Sequence, residues 1–314
     1  MKVITLHHPH TINKKDLPPL CMALGYFDGI HRGHQKVILT AKEMADNNGW
    51  KSAVMTFDPH PSVVLGHKHQ HVQYITPLND KIELLEQMGI DYVFVVRFTS
   101  AFANLHPQEF VDQYIINLNV QHVVAGFDFT YGKLGKGTME TLAFHSRQAF
   151  TYTTVEKLTE GNEKVSSTLT RNYLREGNME QVALLLGRYY VTKGTVIHGD
   201  KRGRKIGFPT ANIELIDAYI VPRTGVYAVR LFVNETWYEG VCNVGYKPTF
   251  NNPNETNLSI EVHIFEFSDS IYGEEVQVEW HKRIRAEQKF PSIDELIRQI
   301  EKDKKAAITY FEKS

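Results

Sequence analysis

The chain has little cysteine, no long apolar run and almost no net charge. Its two cysteines, Cys21 and Cys242, both lie in apolar segments. A disulfide-held scaffold is therefore excluded, and a reducing cytoplasm is the expected location. No segment approaches the roughly 18 apolar residues of a membrane span, and residues 1–6 lack the apolar stretch of a signal peptide. A formal net charge of −1 gives no general attraction to nucleic acid or to a membrane.

The first half of the chain alternates apolar segments of strand length with segments of helical periodicity. This alternation is typical of βαβ units and a mainly parallel sheet covered on both faces. One helix is expected to open with Thr76 as N-cap and Pro77 as its first residue. Strands are predicted at 3–6, 21–24, 52–57, 91–96 and 121–125, and further helices at 33–47 and 107–118.

The second half reads as β structure, and 314 residues are enough for two domains. A helix over 172–186, interrupted at Gly177-Asn178, precedes strands at 191–197, 226–232, 237–244, 258–265 and 275–280. Short strands with turns between them predict a small barrel or sandwich, and an amphipathic helix follows from Ile293. We place the boundary near residue 186, which gives domains 1–186 and 187–314.

Residues 25–34 form the most informative stretch, because they connect a predicted buried strand to a predicted helix. Gly25, Gly29 and Gly33 allow a tight turn and a close approach of a ligand. His31 and His34 are three residues apart, so both imidazoles can project from one side of the first helical turn. Free N–H groups and the partial positive charge of a helix N-terminus favour a phosphate there.

Two further polar clusters, residues 56–61 and 126–137, follow other predicted strands of the same sheet. Ligands of parallel sheets bind beyond the carboxyl ends of the strands, so the clusters are expected near residues 25–34. Phe129 or Tyr131 could stack on a flat ring, although a flexible surface loop is the alternative for 126–137. The spacing around Lys136 does not fit a P-loop.

Residues 164–171 combine hydroxyl groups with positive charge at a predicted helix start. The Ser-Ser-Thr run that includes Ser167 can cap that helix and face an anion, and Arg171 adds a fixed positive fork. An ordinary capped helix is the alternative.

Residues 198–207 are dense in glycine and positive charge, which suits a polyphosphate. Thr210 and Asn212 follow at once, and their side-chain oxygens are ligands that Mg²⁺ prefers beside phosphate oxygens. A solvated basic hairpin is the alternative for this loop.

These motifs resemble those of one enzyme family. Gly-x-Phe-Asp-Gly-x-His-x-Gly-His at 25–34 and Gly-x-x-x-Gly-Phe-Pro-Thr-Ala-Asn at 203–212 are similar to the signatures of the bacterial bifunctional riboflavin kinase/FAD synthetases. Segments 243–250, 261–263, 272–273 and 285–290 follow the order of that family, so the resemblance covers nearly the whole chain. It implies an α/β Rossmann-like nucleotidyltransferase domain with a parallel sheet, followed by a small antiparallel β-barrel with a C-terminal helix.

For the first domain, the resemblance implies transfer of AMP from ATP to FMN, giving FAD. His31 and His34 are expected to stabilise the transition state. The family often has arginine where this chain has Lys164. Lysine keeps the positive charge but lacks the bidentate hydrogen-bonding geometry of arginine. The expected nucleotide and phosphate contacts are Gly25, Phe27, Asp28, Asp128, Ser167 and Arg171, and the expected flavin contacts are Phe57, Pro59, His60, Phe129 and Tyr131.

For the second domain, the resemblance implies phosphorylation of riboflavin by ATP with Mg²⁺. Glu261 is expected to act as the base, with Thr210 and Asn212 as metal ligands. Residues 283–290 are expected to close over the isoalloxazine, with Arg285 and Glu287 contacting the flavin. The expected polyphosphate contacts are Gly199, Lys201, Arg204, Gly207 and Pro209.

Two other classes of function remain open on the sequence. The chain could be a nucleotidyltransferase for another acceptor, joined to an unrelated β-domain. It could instead be a flavin-sensing or RNA-binding module that uses the two basic loops, although its near-zero net charge argues against broad nucleic-acid binding. The expected partners are therefore small molecules only: ATP, riboflavin and FMN.

Overall fold

The computed structural model describes residues 1–66, 72–199, 202–248 and 256–313. The chain forms two compact units, Met1–Ser167 and Thr168–Ser314, each with its own apolar core. None of the helices in the described ranges combines the length and the apolar character that crossing a bilayer requires.

A six-stranded parallel sheet forms the centre of the first unit. The strands of this unit are β1 (Lys2–Leu6), β2 (Leu20–Leu24), β3 (Lys51–Asp58), β4 (Tyr92–Arg97), β5 (Val120–Gly126), β6 (Thr130–Tyr131), β7 (Gly137–Thr138), β8 (Thr151–Val155), β9 (Thr159–Glu160) and β10 (Glu163–Lys164). The order across the sheet is β1-β4-β3-β2-β5-β8, and every pairing is parallel. The predicted parallel sheet is confirmed. Sequence reasoning missed β8, because this edge strand is mostly exposed and has no apolar run.

Helices cover both faces of this sheet. Successive residues of β2 point to opposite faces: Met22 and Leu24 belong to one apolar cluster, and Cys21 and Ala23 to another. The helices are α1 (Arg32–Asn48), α2 (Pro61–Leu65), α3 (Leu78–Gln87), α4 (Ser100–Ala103), α5 (Pro107–Val111) and α6 (Met139–Ser146), with 3₁₀ turns at Lys14–Asp16 and Lys133–Gly135.

Two helices of the first unit differ from the sequence prediction. The N-cap of α3 is Pro77, so the predicted N-cap at Thr76 is wrong by one residue. The backbone N–H of Thr76 instead donates to the carboxylate of Asp28 at 3.0 Å. The helix predicted over 107–118 is α5 followed by a π-helical turn, Asp112–Ile116, in which Tyr114 and Ile115 are fully buried.

A closed antiparallel barrel forms the second unit, as the β-rich sequence predicted. Its strands are β11 (Tyr190–Ile197), β12 (Ala211–Leu215), β13 (Gly225–Val233), β14 (Thr236–Pro248), β15 (Thr256–Ile264) and β16 (Glu275–Arg285). Their order around the barrel is β11-β12-β15-β14-β13-β16. In the barrel core, the indole N–H of Trp280 donates to Thr192 Oγ1 at 3.0 Å. The helices are α7 (Ser167–Glu176), α8 (Met179–Leu186), α9 (Arg202–Lys205) and the C-terminal α10 (Ile293–Phe311).

Helices α7 and α8 pack with the barrel. Gly177, which separates them as predicted, has φ +78°, and a Cβ there would lie 2.6 Å from the hydroxyl of Tyr227 and 2.7 Å from Cδ of Arg283. Lys282 of β16 donates to Glu180 of α8 at 2.8 Å. The compact units thus divide at residues 167/168, and the division of function at residue 186 stays a prediction.

Candidate functional site

The turn after β2 has an unusual backbone. Phe27, Gly29 and Ile30 have φ values of 56°, 86° and 38°, and only glycine adopts this left-handed region without strain. Phe27 and Ile30 are buried in the core, which holds the turn in this shape. At Gly25, a Cβ would lie 2.7 Å from the Phe27 ring. Strained turns of this kind persist where the surrounding packing fixes them, often at functional sites.

The structure brings His31 and His34 together. His31 is the N-cap of α1, and its Nδ1 accepts from the backbone N–H of His34 at 3.2 Å. In the neutral ring the proton is therefore on Nε2. The two imidazoles stack with centroids 3.6 Å apart.

His34 has an unsatisfied buried nitrogen. Its Nδ1 is buried and has no hydrogen-bond partner among the described residues. Burial holds the pKa of His34 well below its usual range, and electrostatic interactions with His31, Lys81 and Lys164 lower it further. A neutral imidazole at a helix N-terminus, with a ring nitrogen lacking a partner, suits hydrogen bonding to a phosphoryl oxygen.

Asp28 has a structural partner within the fold. Its buried carboxylate accepts from the backbone N–H groups of Ile75 and Thr76 at 3.1 and 3.0 Å. Its main-chain carbonyl accepts from the hydroxyl of Ser167 at 2.9 Å. The carboxylate of Asp28 therefore ties the turn after β2 to the segment that precedes α3.

Asp128, which follows β5, forms an ion pair with Lys164 of β10. The ammonium of Lys164 also lies 4.5 Å from the centroid of the Phe127 ring. Both ends of this pair are partly exposed, so the two charges can meet a ligand. Arg171 lies one turn after Ser167 in α7.

The residues predicted to contact flavin differ in exposure. Phe57 and Tyr131 are buried, and the hydroxyl of Tyr131 is bonded to His145 Nδ1 at 2.8 Å. Phe129, half-buried, stacks beside Tyr131 with centroids 6.1 Å apart. Pro59 follows β3, and His60 then caps α2 by accepting from the N–H of Ser62 at 3.1 Å.

In the second unit, Thr210, Asn212 and Glu261 come together. Thr210 Oγ1 lies 3.4 Å from Glu261 Oε2, and Asn212 is the cross-strand partner of Glu261 between β12 and β15. Ser259 Oγ lies 3.5 Å from the other carboxylate oxygen of Glu261.

This donor set fits Mg²⁺ with phosphate. A hydroxyl, an amide oxygen and one carboxylate are hard oxygen ligands, and Mg²⁺ commonly takes its other ligands from phosphate and water. Among the described residues there is no cluster of three or more His, Cys, Asp or Glu side chains that could hold a metal alone.

The glycine-rich loop packs against this cluster. At Gly199, a Cβ would lie 2.3 Å from the amide nitrogen of Asn212, and at Gly203 a Cβ would lie 2.3 Å from the carbonyl of Phe208. Gly207, with φ 88°, and Arg204 are exposed. Lys201 lies outside the described residues.

Pro209 is held by a residue to which the sequence assigned no role. Nδ1 of the buried His263 donates to the Pro209 carbonyl at 2.8 Å. Burial lowers the pKa of His263, partly offset by this hydrogen bond, so the ring is neutral with its proton on Nδ1.

Arg285 and Glu287 have different surroundings. The guanidinium of Arg285 makes a forked contact with the buried Asp303 of α10, with Nη2 2.8 Å and Nε 3.0 Å from its oxygens. Glu287 is exposed, and its carboxylate lies over Gly245, where a Cβ would be 2.7 Å from Oε1. Arg285 thus anchors the predicted flavin-covering segment to α10.

Comparison with known proteins gives one consistent result. The FAD synthetase family model matches residues 13–169, and the riboflavin kinase family model matches residues 186–311. The chain belongs to the bifunctional riboflavin kinase/FMN adenylyltransferase family.

Individual relatives cover the whole chain. A protein of that name from Bacillus subtilis is 56% identical over 99% of this chain and 98% of its own length. Another from Listeria monocytogenes is 49% identical over 100% and 99%. A crystal structure titled macrolide-efflux protein, from Streptococcus pneumoniae, is 35% identical, with a TM-score of 0.87 over 96% of this chain and 97% of that one. That title names a function that the two family models do not share.

Both clusters lie within the family matches. His31, His34 and Ser167 are inside the FAD synthetase match, and Thr210 and Glu261 are inside the riboflavin kinase match. Sequence reasoning did not identify the residues that hold these two clusters in place. A histidine in a strand, or a lysine in an amphipathic helix, has no sequence feature that indicates such a role. Lys81 of α3, fully buried beside the first cluster, is the main example.

We expect His34 to stay neutral throughout the physiological range. Because burial and neighbouring cations lower its pKa from 6.5, the folded chain binds this proton more weakly than the unfolded chain does. An NMR pH titration of the histidine Cε1–Hε1 resonances, with His34→Asn as the assignment control, should give a midpoint below 6.5. A midpoint at or above 6.5 would contradict the described environment.

Proposed function

We propose that this chain makes FAD from riboflavin in two consecutive steps, riboflavin phosphorylation in domain 187–314 and adenylyl transfer in domain 1–186. ATP first phosphorylates riboflavin to FMN, and a second ATP then transfers AMP to FMN, giving FAD and pyrophosphate. One observation carries the proposal: two separate phosphate-suited clusters lie in two compact units, each within the match to the corresponding enzyme family.

For phosphorylation, Glu261 accepts the proton of the ribityl 5′-hydroxyl, which is a weak nucleophile until that proton is removed. Thr210 and Asn212 hold Mg²⁺, which, when bound, neutralises charge on the phosphates of ATP. Gly199, Lys201, Arg204, Gly207 and Pro209 form the polyphosphate loop. Hydrogen bonding from His263 to Pro209 keeps that loop against the metal ligands.

For adenylyl transfer, the FMN phosphate is already anionic and attacks the α-phosphorus of ATP directly. The bond from the α-phosphorus to the bridging oxygen breaks, and pyrophosphate leaves with that electron pair. His31 and His34 donate hydrogen bonds to the phosphoryl oxygens as charge accumulates on them. Gly25, Phe27, Asp28, Asp128, Ser167 and Arg171 supply nucleotide and phosphate contacts, with Asp28 acting through its main chain.

The flavin is held at both sites by the residues that the family resemblance implies. For FMN in the first unit these are Phe57, Pro59, His60, Phe129 and Tyr131, of which Phe129 offers a ring not fully buried. For riboflavin in the second unit they are Arg285 and Glu287. The functional domains are 1–186 and 187–314. The small-molecule substrates and two buried free cysteines support a cytoplasmic location.

Replacing both histidines, in the variant His31→Ala with His34→Ala, should stop FAD formation while FMN accumulates. Loss of these donors should lower the rate of FAD formation from FMN by about 100-fold or more. Separation of flavins after incubation with riboflavin, ATP and Mg²⁺ measures both steps. His106→Ala, which removes an exposed histidine ahead of α5, is the matched control, and undiminished FAD formation in the double variant would rule out the first site.

Glu261→Gln should block the first step, riboflavin phosphorylation, and leave adenylyl transfer intact. Loss of the base should reduce FMN formation from riboflavin by about 100-fold or more, whereas FAD formation from supplied FMN should be unchanged. The matched control is Glu239→Gln on β14, a partly buried strand glutamate paired with Arg230. Normal riboflavin phosphorylation by Glu261→Gln would remove Glu261 from the mechanism.

A further inference from the structure

A closed triangle of hydrogen bonds lies beneath the turn that carries the histidine pair. Lys81 of α3 is only 2% exposed. Its ammonium donates to the carbonyl oxygen of Tyr26 at 2.8 Å and to Thr56 Oγ1 at 3.1 Å. The hydroxyl of Thr56 in turn donates to the same Tyr26 carbonyl at 2.8 Å. The triangle joins α3, the end of β3 and the turn after β2.

The ammonium is buried with neutral hydrogen-bond acceptors. The ammonium also lies over the Tyr26 ring, with the centroid 4.2 Å away. The carboxylates that act on it electrostatically are Asp28 and Asp58. Asp28 is bonded to the N–H groups before α3, and Asp58 is paired with Arg97.

Such a charge opposes folding. Burial lowers the pKa of Lys81 to about 8 despite the two aspartates, so the ammonium is charged at pH 7 at a desolvation cost. A methionine of similar length would fill the space without that cost, and the hydrogen bond between Thr56 and Tyr26 would remain. The stability of the fold therefore does not explain why position 81 is a lysine.

The position of the charge suggests a catalytic reason. Tyr26 lies directly before the left-handed Phe27, and the turn then leads to His31 and His34. Among the groups that interact electrostatically with His34 are His31, Lys81 and Lys164. Lys81 is buried, so its charge, unlike that of the exposed Lys164, cannot move away from the site. Fixing a catalytic group to within a fraction of an ångström has a large effect on rate, and a buried cation near the phosphates adds to the stabilisation of developing negative charge.

We propose that Lys81 is a positioning residue for adenylyl transfer. It clamps the Tyr26 carbonyl against Thr56, which sets the position of His31 and His34 relative to the nucleotide phosphates, and it places a fixed positive charge beneath them. This inference rests on the proposed transfer of AMP to FMN.

The test compares full-length Lys81→Met and Lys81→Arg with the wild type, using Lys42→Met on α1 as the matched control. Lys81→Met should lower kcat for FAD formation from FMN by about 10-fold or more, with a smaller change in the KM for ATP. Riboflavin phosphorylation by the same preparation should be unchanged, which shows that the second unit is intact. The thermal unfolding midpoint should stay the same or rise, because the buried charge is removed.

The pH dependence separates a charge effect from a packing effect. The groups that face Lys81 are Asp28 from the turn, Asp58 from the end of β3, His34 of α1 and the ring of Tyr26. In the wild type, kcat for adenylyl transfer should fall as pH rises through about 8. Lys81→Met should be slow at every pH without that fall, and Lys81→Arg should keep part of the rate above pH 8 because arginine stays protonated.

Stability should change with pH in the opposite direction. The pKa of Lys81 is lowered from 10.5 to about 8 on folding, so the unfolded chain binds this proton more tightly. Wild-type stability should therefore rise between about pH 8 and 10.5, relative to Lys81→Met.

Three outcomes would count against this inference, and they are distinguishable. If Lys81→Met has the same kcat and the same pH profile for adenylyl transfer as the wild type, the inference is overturned. A slower Lys81→Met that is also less stable, with the fall above pH 8 retained, would assign Lys81 a structural role only and would overturn it equally. Failure of the wild type itself to make FAD from FMN would contradict the proposed function, and the inference with it.

Discussion

The first site depends on two buried charges of opposite sign placed under one turn. The carboxylate of Asp28 holds the backbone N–H groups of Ile75 and Thr76, and the ammonium of Lys81 holds the carbonyl of Tyr26. Each charged group is bonded to backbone rather than directly to the other. Between them they fix the left-handed residues that connect β2 to α1. The stacked histidines therefore begin from a backbone that has little freedom to move.

The second site is built on a different constraint. Barrel closure places Asn212 of β12 opposite Glu261 of β15, and the same register brings Asn243 of β14 to the other side of Glu261. The backbone of Glu261, from which its carboxylate projects, is thus paired with a neighbouring strand on both sides. The loop that carries Thr210 is then held by a hydrogen bond between His263 of β15 and the Pro209 carbonyl. The proposed base on β15 and the proposed metal ligands, Thr210 on the loop and Asn212 on β12, suit phosphoryl transfer, where positioning and electrostatics dominate.

Sequence reasoning found the groups whose chemistry is local in the chain. His31 and His34 lie in one helical turn, and Thr210 and Asn212 lie two residues apart, so spacing was sufficient to predict each of these pairs. Glu261, distant in sequence, was expected only from the family resemblance. Glycine spacing likewise predicted the break between α7 and α8.

It missed contacts between residues that are distant in sequence. It did not predict that the carboxylate of Asp28, a residue expected to contact nucleotide, accepts from the N–H groups of residues 47 and 48 positions away. It did not predict that Arg285, expected to contact flavin, bonds to Asp303 of the C-terminal helix. Lys81 has the sequence appearance of a surface lysine, since only the tertiary fold shows that its side chain points inward. Edge strand β8 was missed because an exposed strand needs no apolar pattern.

We propose that the two sites act independently and in series, so that FMN released by the kinase site is taken up by the adenylyltransferase site. A mixture of two defective full-length chains tests this: His31→Ala with His34→Ala supplies only the kinase site, and Glu261→Gln supplies only the adenylyltransferase site. With riboflavin, ATP and Mg²⁺, we expect that neither chain alone makes appreciable FAD and that the mixture makes it after a lag in which FMN appears. A mixture that makes no FAD, while the first chain still releases FMN and the second still converts supplied FMN, would contradict it.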